Sequence, residues 1–287
     1  MNIIFQINGG LGKSVMATSV CKSIKIKYPE SKLILITAYP DVFLNNPNVD
    51  KCFRHNELKY FYKDYVENQD FLFLGQDPYM TNEHIKKEKH LIQTWCEMFD
   101  LPFVQNHGEF FLTSREIQFY SRKHSFKKPI LVLQTSGSAG DIAYNWTRDI
   151  SPTTSSVIID AFKDQYSIVH VRNENQISYN DTNSFTDNIR AVAVMIQLSD
   201  KRILMDSCCQ HIAAAFNLPS NVLWVTTDPK VFGYDLHNNI VAQPETSSIS
   251  LKDSFLTKYE LIGNISDFPY NNESEIFESK LLVQSLI

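Results

Sequence analysis

Residues 3–14 read Ile-Ile-Phe-Gln-Ile-Asn-Gly-Gly-Leu-Gly-Lys-Ser. The first five form an apolar, β-prone run that suits a buried strand. Gly9, Gly10 and Gly12 then place three glycines in four positions, more than a plain turn needs. Glycine tolerates positive φ and lets another group come close. Behind the loop, Val15, Met16, Val20, Cys21, Ile24 and Tyr28 recur at the three- and four-residue spacing of one helix face. A strand that turns through glycines into a helix start suits an anion, because the first N–H groups of a helix are unpaired and partially positive. The competing reading is a tight turn without a ligand.

Working outward, Lys32 to Thr37 is a second buried strand. Strand, helix and strand in succession make a βαβ unit, which implies a parallel sheet with a right-handed crossover. Ligands of such sheets sit at the C-terminal strand ends, where the glycine loop lies. Val49 to Phe53 and Asp70 to Gly75 are further strand candidates, and Phe110 to Leu112 is a short one. Asn82 to Phe99 reads as one polar helix with Ile85, Leu91, Ile92, Trp95 and Met98 as its apolar side. Its basic cluster, Lys86, Lys87, Lys89 and His90, reads as a solvated face before it reads as an acceptor contact. Arg115 to His124 is a polar helix or linker.

Phe126-Lys127-Lys128-Pro129 punctuates the chain before a strongly apolar run. A first domain over 1–126 and a second over 127–265 follow, with a helical tail over 266–287 that suits either packing across both domains or a peripheral place. In the second half, Ile130 to Gln134 is a buried strand that leads into a small flexible turn, Thr135 to Gly140. A helix from Pro152 to Lys163 comes next, with proline in its first turn. Tyr166 to Val171, Arg202 to Met205 and Asn221 to Val225 read as strands, with helices over 187–197 and 209–216 between them. The class is therefore α/β: two Rossmann-like units whose parallel sheets face a central cleft.

Composition agrees. The chain has 287 residues, of which 43% are hydrophobic and 21% charged, enough for two cores. Its net charge is −5, without a basic domain or stripe, which argues against a nucleic-acid partner. Cys21, Cys52, Cys96, Cys208 and Cys209 show no CxxC pair and no metal-ligand spacing, so no metal site is expected. Buried reduced thiols point to the cytoplasm. The N-terminus lacks the pattern of a signal peptide, and no apolar run approaches a membrane span, so no stable membrane insertion is expected.

Three stretches together resemble glycosyltransferase family nine, the ADP-heptose lipopolysaccharide heptosyltransferases. They are Gly9-Gly10-Leu11-Gly12 with Met16-Ala17-Thr18, the run Asn46-Pro47-Asn48-Val49-Asp50, and Asp206-Ser207-Cys208-Cys209-Gln210-His211-Ile212-Ala213-Ala214-Ala215. Thr227-Asp228-Pro229 resembles that family's exit loop. The resemblance implies a GT-B fold, an acceptor bound mainly by the first domain and a nucleotide-diphosphate sugar bound by the second. It implies a hexosyl- or heptosyltransferase-like enzyme that transfers sugar to a glycan, lipid-linked or other hydroxyl acceptor. Inversion and independence of metal or other cofactor come with it.

Residue by residue, Gly9, Gly10, Gly12 and Ser14 fall on the acceptor-side loop. Arg148, Ser207, Cys208, His211, Thr227 and Asp228 fall on the donor side, and Lys13 and Asp206 stand as catalytic candidates. A transfer of this kind needs cations, hydroxyls or a helix start aimed at the departing diphosphate. It also needs a base for the acceptor hydroxyl. The family usually carries an aspartate as base where this chain has Lys13, and a lysine at neutral pH is protonated unless buried. The base is thereby open, with Asp41 and Asp141 as alternatives.

Two other readings compete. Asn8 to Ser14 resembles the deviant Walker A loop of ParA/MinD-type ATPases, but Ile7 stands where the first glycine belongs and Asn8 replaces the signature lysine. A non-catalytic nucleotide-sugar-binding protein on the same scaffold is the third reading.

Overall fold

The computed structural model describes residues 1–137, 143–242, 268 and 270–287. Asp141, residues 138–140 of the small turn, and the 265/266 junction lie outside the described residues.

The first unit alternates β1 (Asn2–Ile7), α1 (Leu11–Lys27), β2 (Lys32–Thr37), β3 (Lys51–Arg54), α2 (Phe61–Tyr65), β4 (Phe71–Leu74), α3 (Asn82–Ile85), α4 (Leu91–Met98) and α5 (Ser114–Lys123). The second runs β5 (Ile130–Leu133), α6 (Pro152–Phe162), β6 (Ser167–Val171), β7 (Asn183–Phe185), α7 (Ile189–Leu198), β8 (Lys201–Met205), α8 (Cys208–Ala215), β9 (Asn221–Trp224), α9 (Pro229–Phe232), β10 (Asn238–Val241) and α10 (Ser279–Leu286). Both sheets are parallel throughout, in the orders β3-β2-β1-β4 and β10-β9-β8-β5-β6-β7. The second order, read from β7, is the 3-2-1-4-5-6 order of a full Rossmann unit, and the first sheet is its 3-2-1-4 portion. The apolar strand runs follow from this, since helices cover both faces of such sheets.

α1 is buried more completely than one amphipathic face allows. Every residue from Lys13 to Cys21 is buried. The face that looks polar in sequence is small, and its hydroxyls are satisfied inside: Ser19 Oγ donates to the Gln105 carbonyl at 3.1 Å, and Thr18 Oγ1 accepts from the Glu109 amide at 2.6 Å. The helix can thus pack against α4 on one side and α8 on the other. One apolar core continues from Phe5 and Trp95 in the first unit to Ala193, Ile212 and Trp224 in the second. Arg190 of α7 adds a polar tie. It donates to Glu116 at 2.7 Å and to the Phe111 carbonyl at 2.5 Å, and its guanidinium holds the Glu116 carboxyl down at about 2.

Two local expectations change and two open ones are settled. The single helix over 82–99 is two, because Lys87 turns left-handed at φ 55° and Thr81 and His90 each cap a new start. Residues 110–112 form no strand. The polar segment after Thr113 is a true helix, fixed by a capping box between Thr113 and Glu116. In the tail, Leu282 and Leu286 of α10 join the second unit's core with Ile158 and Phe162, so that helix lies on the outer layer of the second sheet.

Candidate active site

Open α/β sheets bind ligands where the strand order reverses. In the first sheet this is between β1 and β4, and in the second between β5 and β8. The loops that follow these four strands converge on a cavity of about 670 Å³, lined by Gly10, Gly12 and Lys13 from one side and by Gln134, Arg148, Asp206 and Ser207 from the other.

Two helices start at this cavity. α1 has Gly10 as N-cap and α8 has Ser207; neither cap side chain bonds the helix, and neither first turn holds an acid. Their leading N–H groups are left for a ligand, and the two positive helix ends favour an anion between them. The approach depends on Gly12. A Cβ there would stand 2.8 Å from His211 Cδ2, so only glycine lets α1 seat against α8.

On the second sheet's side, Arg148 donates through Nε and Nη2 to the main-chain carbonyl of Asp206 at 2.8 and 2.6 Å. The arginine thus fixes the turn that opens α8 and keeps its charge beside it. The Asp206 side chain is 7% exposed and faces the cavity, and its carboxylate has no hydrogen-bond or ion-pair partner among the described residues. Gln134 Nε2 donates to Ser207 Oγ at 3.2 Å, leaving the buried Gln134 Oε1 unpaired. Cys208 also lines the cavity. Hydrogen bonds from Cys209, Ser207 and Gln134, together with the Arg148 charge, outweigh burial and hold its thiol below the ordinary value. Arg172 is a second cation here, with a buried Nε that finds no partner.

On the first sheet's side, Lys13 is 4% exposed and donates to Asp77 Oδ1 at 2.6 Å. Its ammonium lies 4.3 Å from the Tyr79 ring centre and 5.2 Å from that of Trp95. Burial lowers its pKa, and the Asp77 hydrogen bond and charge act against that. Lys13 is therefore committed to a neighbour, which is not the free phosphate-facing lysine of a Walker loop. Together with the two-sheet fold, this sets aside the ATPase reading.

His211 lines the cavity and pairs through Nδ1 with the Tyr234 hydroxyl at 2.7 Å. Burial first, then the neighbouring His90, Arg148 and His237, hold its pKa well below the usual value. A neutral ring positions groups; it does not bring charge to a phosphate.

Of the residues singled out in the sequence, Gly10, Gly12, Lys13, Arg148, Asp206, Ser207, Cys208, His211 and Thr227 come together at the cavity. Three do not. Gly9 adopts φ 108° and packs on the Lys13 side chain. Ser14 is fully buried and its Oγ turns back to the Gly10 carbonyl at 3.4 Å. Asp228 caps α9 through the Lys230 amide at 2.9 Å. Asp41 is exposed, and only its carbonyl is engaged, by Arg190. In the basic cluster, Lys86 and Lys89 pair with Glu88 and Glu97, and His90 is a half-buried cap. The structure adds Tyr79, Gln134 and Arg172 to the lining, and behind it Asp77 and Tyr234, which bond Lys13 and His211. Gln134 and Arg172 follow β5 and β6 directly, a position that in hindsight marks them. Asp77 and Tyr234 carry no such local signal.

No family model matches the chain, and no curated protein matches it in sequence. Solved structures do match in shape. A glycosyltransferase family 9 protein from Veillonella parvula DSM 2008 aligns with TM-score 0.65 and 13% identity over 99% of this chain and 95% of that one. The E. coli ADP-heptose LPS heptosyltransferase II gives 0.63 and 12% over 99% and 98%. E. coli heptosyltransferase WaaC, solved with ADP, gives 0.53 and 11% over 91% and 99%. The chain thus has the GT-B fold: two Rossmann-like units with parallel sheets facing a shared cleft.

Proposed function

We propose that the protein is a glycosyltransferase that moves a sugar from a nucleotide-diphosphate donor to an acceptor hydroxyl, with inversion. One observation carries the reading: two uncapped helix starts and the Arg148 guanidinium converge on a single interdomain cavity. Breaking a glycosidic bond to a diphosphate puts negative charge on the leaving group, and oriented N–H groups with a fixed cation stabilise it as it forms. In this reading the diphosphate lies at the start of α8, against Ser207 and Cys208, with Arg148 alongside. The unpaired Asp206 carboxylate accepts hydrogen bonds from sugar hydroxyls. Arg172 and Thr227 extend the donor side, and Lys13 belongs to the acceptor side.

With these charges supplied by the protein, no added metal is required. The acceptor is a glycan, lipid-linked or other hydroxyl compound, and the place of action is the cytoplasm. No helix among the described residues is long and apolar enough to cross a membrane, which suits a donor and acceptor that meet at the cleft mouth. One structural neighbour is bound to ADP, so ADP-linked sugars lead the list of donors.

A thermal-shift screen against ADP-, UDP-, GDP- and CMP-sugars tests the proposal. At least one is expected to raise the melting temperature, and turnover of that donor is expected to survive EDTA. No shift with any of them, beside a clear shift with MgATP, contradicts it. Binding without turnover supports the non-catalytic reading instead.

A further inference from the structure

The five cysteines differ in access and in surroundings. Cys21, Cys96 and Cys209 are fully buried. Each of their thiols is raised above the ordinary value, Cys21 and Cys96 by burial, and Cys209 by its hydrogen bond to Cys208 and then by burial. Cys52 is half-buried on β3, where burial and then the Asp41 charge push its thiol up to about 12. These four are kept as neutral thiols, which are poor nucleophiles. Cys208 is half-buried, and of the five it is the one that lines the interdomain cavity.

The surroundings of Cys208 favour a sulfur anion. It is the first residue of α8, whose start is uncapped and partially positive. Gln134 Nε2 donates to Cys208 Sγ at 3.9 Å and to Ser207 Oγ at 3.2 Å, and the Arg148 charge acts on the same sulfur. A helix start, an amide donor and a nearby cation each stabilise a thiolate. A second observation singles out the same place. Gln134 lines the cavity and is 4% exposed, yet its buried Oε1 has no hydrogen-bond partner among the described residues. A buried acceptor left without a donor is costly. The amide that reaches Sγ therefore carries an oxygen that waits for an O–H or N–H group. A sulfenic acid at Cys208 supplies one, because its S–O–H is a donor.

We propose that Cys208 is a site of reversible oxidation by small hydroperoxides and that its sulfenic acid closes the donor side of the cleft. The closing of the donor side rests on the glycosyltransferase reading; the oxidation site does not. The thiolate sulfur attacks the terminal oxygen of the hydroperoxide. The S–O bond forms as the O–O bond breaks, so the sulfur is oxidised and the peroxide reduced. The electron pair leaves on the second oxygen, which takes a proton from water, and the attacked oxygen keeps its own hydrogen as S–O–H. That hydroxyl donates to Gln134 Oε1. The added oxygen stands at the start of α8, the place given above to the diphosphate. A thiol reverses the change: it condenses with the sulfenic acid to a mixed disulfide and water, and a second thiol then releases Cys208.

The test treats the full wild-type chain with hydrogen peroxide in the presence of dimedone and locates the adducts by peptide mass mapping. Cys208 should be labelled at least about tenfold faster than Cys52, and Cys208→Ser should lose that adduct without gaining another. Equal rates at the two cysteines, or faster labelling at any other, overturn the site, and this comparison needs no nucleotide. The second arm uses the nucleotide sugar that stabilises the wild type. At about ten times its Kd it should slow labelling of Cys208 about tenfold. Peroxide should abolish its thermal shift, and dithiothreitol should restore it. Met16 also lines the cavity, and a thiol does not reverse a methionine sulfoxide, so a loss that dithiothreitol leaves in place overturns the closing of the donor side. Cys52→Ser should lose and regain the shift as the wild type does. Selective labelling of Cys208 that a bound nucleotide sugar does not slow keeps the oxidation site and removes the diphosphate from the start of α8. A wild-type protein that binds no nucleotide sugar overturns the functional reading, while the comparison among the cysteines still decides the site.

Discussion

The two crevices of this molecule occupy the same topological position and are equipped in opposite ways. In the first sheet, the loops after β1 and β4 bring together a cation and an anion that neutralise each other, Lys13 and Asp77. In the second, the loops after β5 and β8 keep the charges apart. Arg148 is spent on a backbone carbonyl, a neutral partner, and retains its full charge, and the Asp206 carboxylate stays open to the cavity. An uncompensated cation at a helix start favours a polyanion, whereas a closed ion pair does not. The same scaffold position thus holds an open charge on one side and a closed ion pair on the other.

That contrast predicts unequal responses to deleting the two cations. Arg148→Met should weaken donor binding about 100-fold, or roughly 2.7 kcal/mol, when titrated calorimetrically. Lys13→Met should change the same affinity by less than about threefold. Equal losses in the two variants would mean that the diphosphate straddles both crevices and that the contrast is false.

The next effect concerns the seam between the units. His90 of the first unit lies 5.4 Å, ring to ring, from Tyr234 of the second, which also contacts His211 and His237. Burial holds His90 at about 4, against an unfolded value of about 6.5. The unfolded chain therefore binds more protons below pH 6.5, so the stability contributed by the neutral ring is present above that pH and is lost as pH falls toward 4. By pH 5 the loss from His90 is about 2 kcal/mol. His211 and His237 are shifted down as well and add to it in the same direction. Urea unfolding at pH 7 and pH 5 measures the difference. His90→Asn keeps a side-chain cap for the Ile92 amide and should blunt the loss. A stability that is flat from pH 7 to 5 would place the seam histidines in contact with water.

The smallest effect sharpens the second crevice alone. Asp206→Ala should weaken the sugar donor about tenfold while leaving the affinity for the free nucleoside diphosphate unchanged, if the carboxylate takes the proposed role toward sugar hydroxyls. A tenfold loss for both ligands would assign Asp206 to shaping the turn.

The extent to which the sequence discloses this site follows from which interactions are local. The glycine loop and the stretch from Asp206 to His211 each place strand end, turn and helix start within a few consecutive residues, so their chemistry is readable in one window. Both also resemble a known family in order, and the GT-B fold agrees with that resemblance. Asp77 is not readable this way. Its meaning arises from the parallel pairing of β4 with β1, which brings it beside a residue 64 positions away. Tyr234 likewise acquires its role through His211, 23 residues earlier. The strands Asn183–Phe185 and Asn238–Val241 escape periodicity because they are short, polar sheet edges whose pairing is set by backbone hydrogen bonds to β6 and β9. The break inside 82–99 depends on a left-handed lysine and two caps, which override a helical apolar pattern that is otherwise sound.

The most direct measurement is the structure of the full chain with the nucleotide sugar that stabilises it best. The account predicts the diphosphate within hydrogen-bond reach of the Ser207 and Cys208 amides and of Arg148, with the sugar hydroxyls at Asp206 and the Lys13–Asp77 pair intact on the opposite wall. A diphosphate seated on the amides of Leu11 to Lys13, with Lys13 released from Asp77 to meet it, would contradict the division of labour between the two crevices.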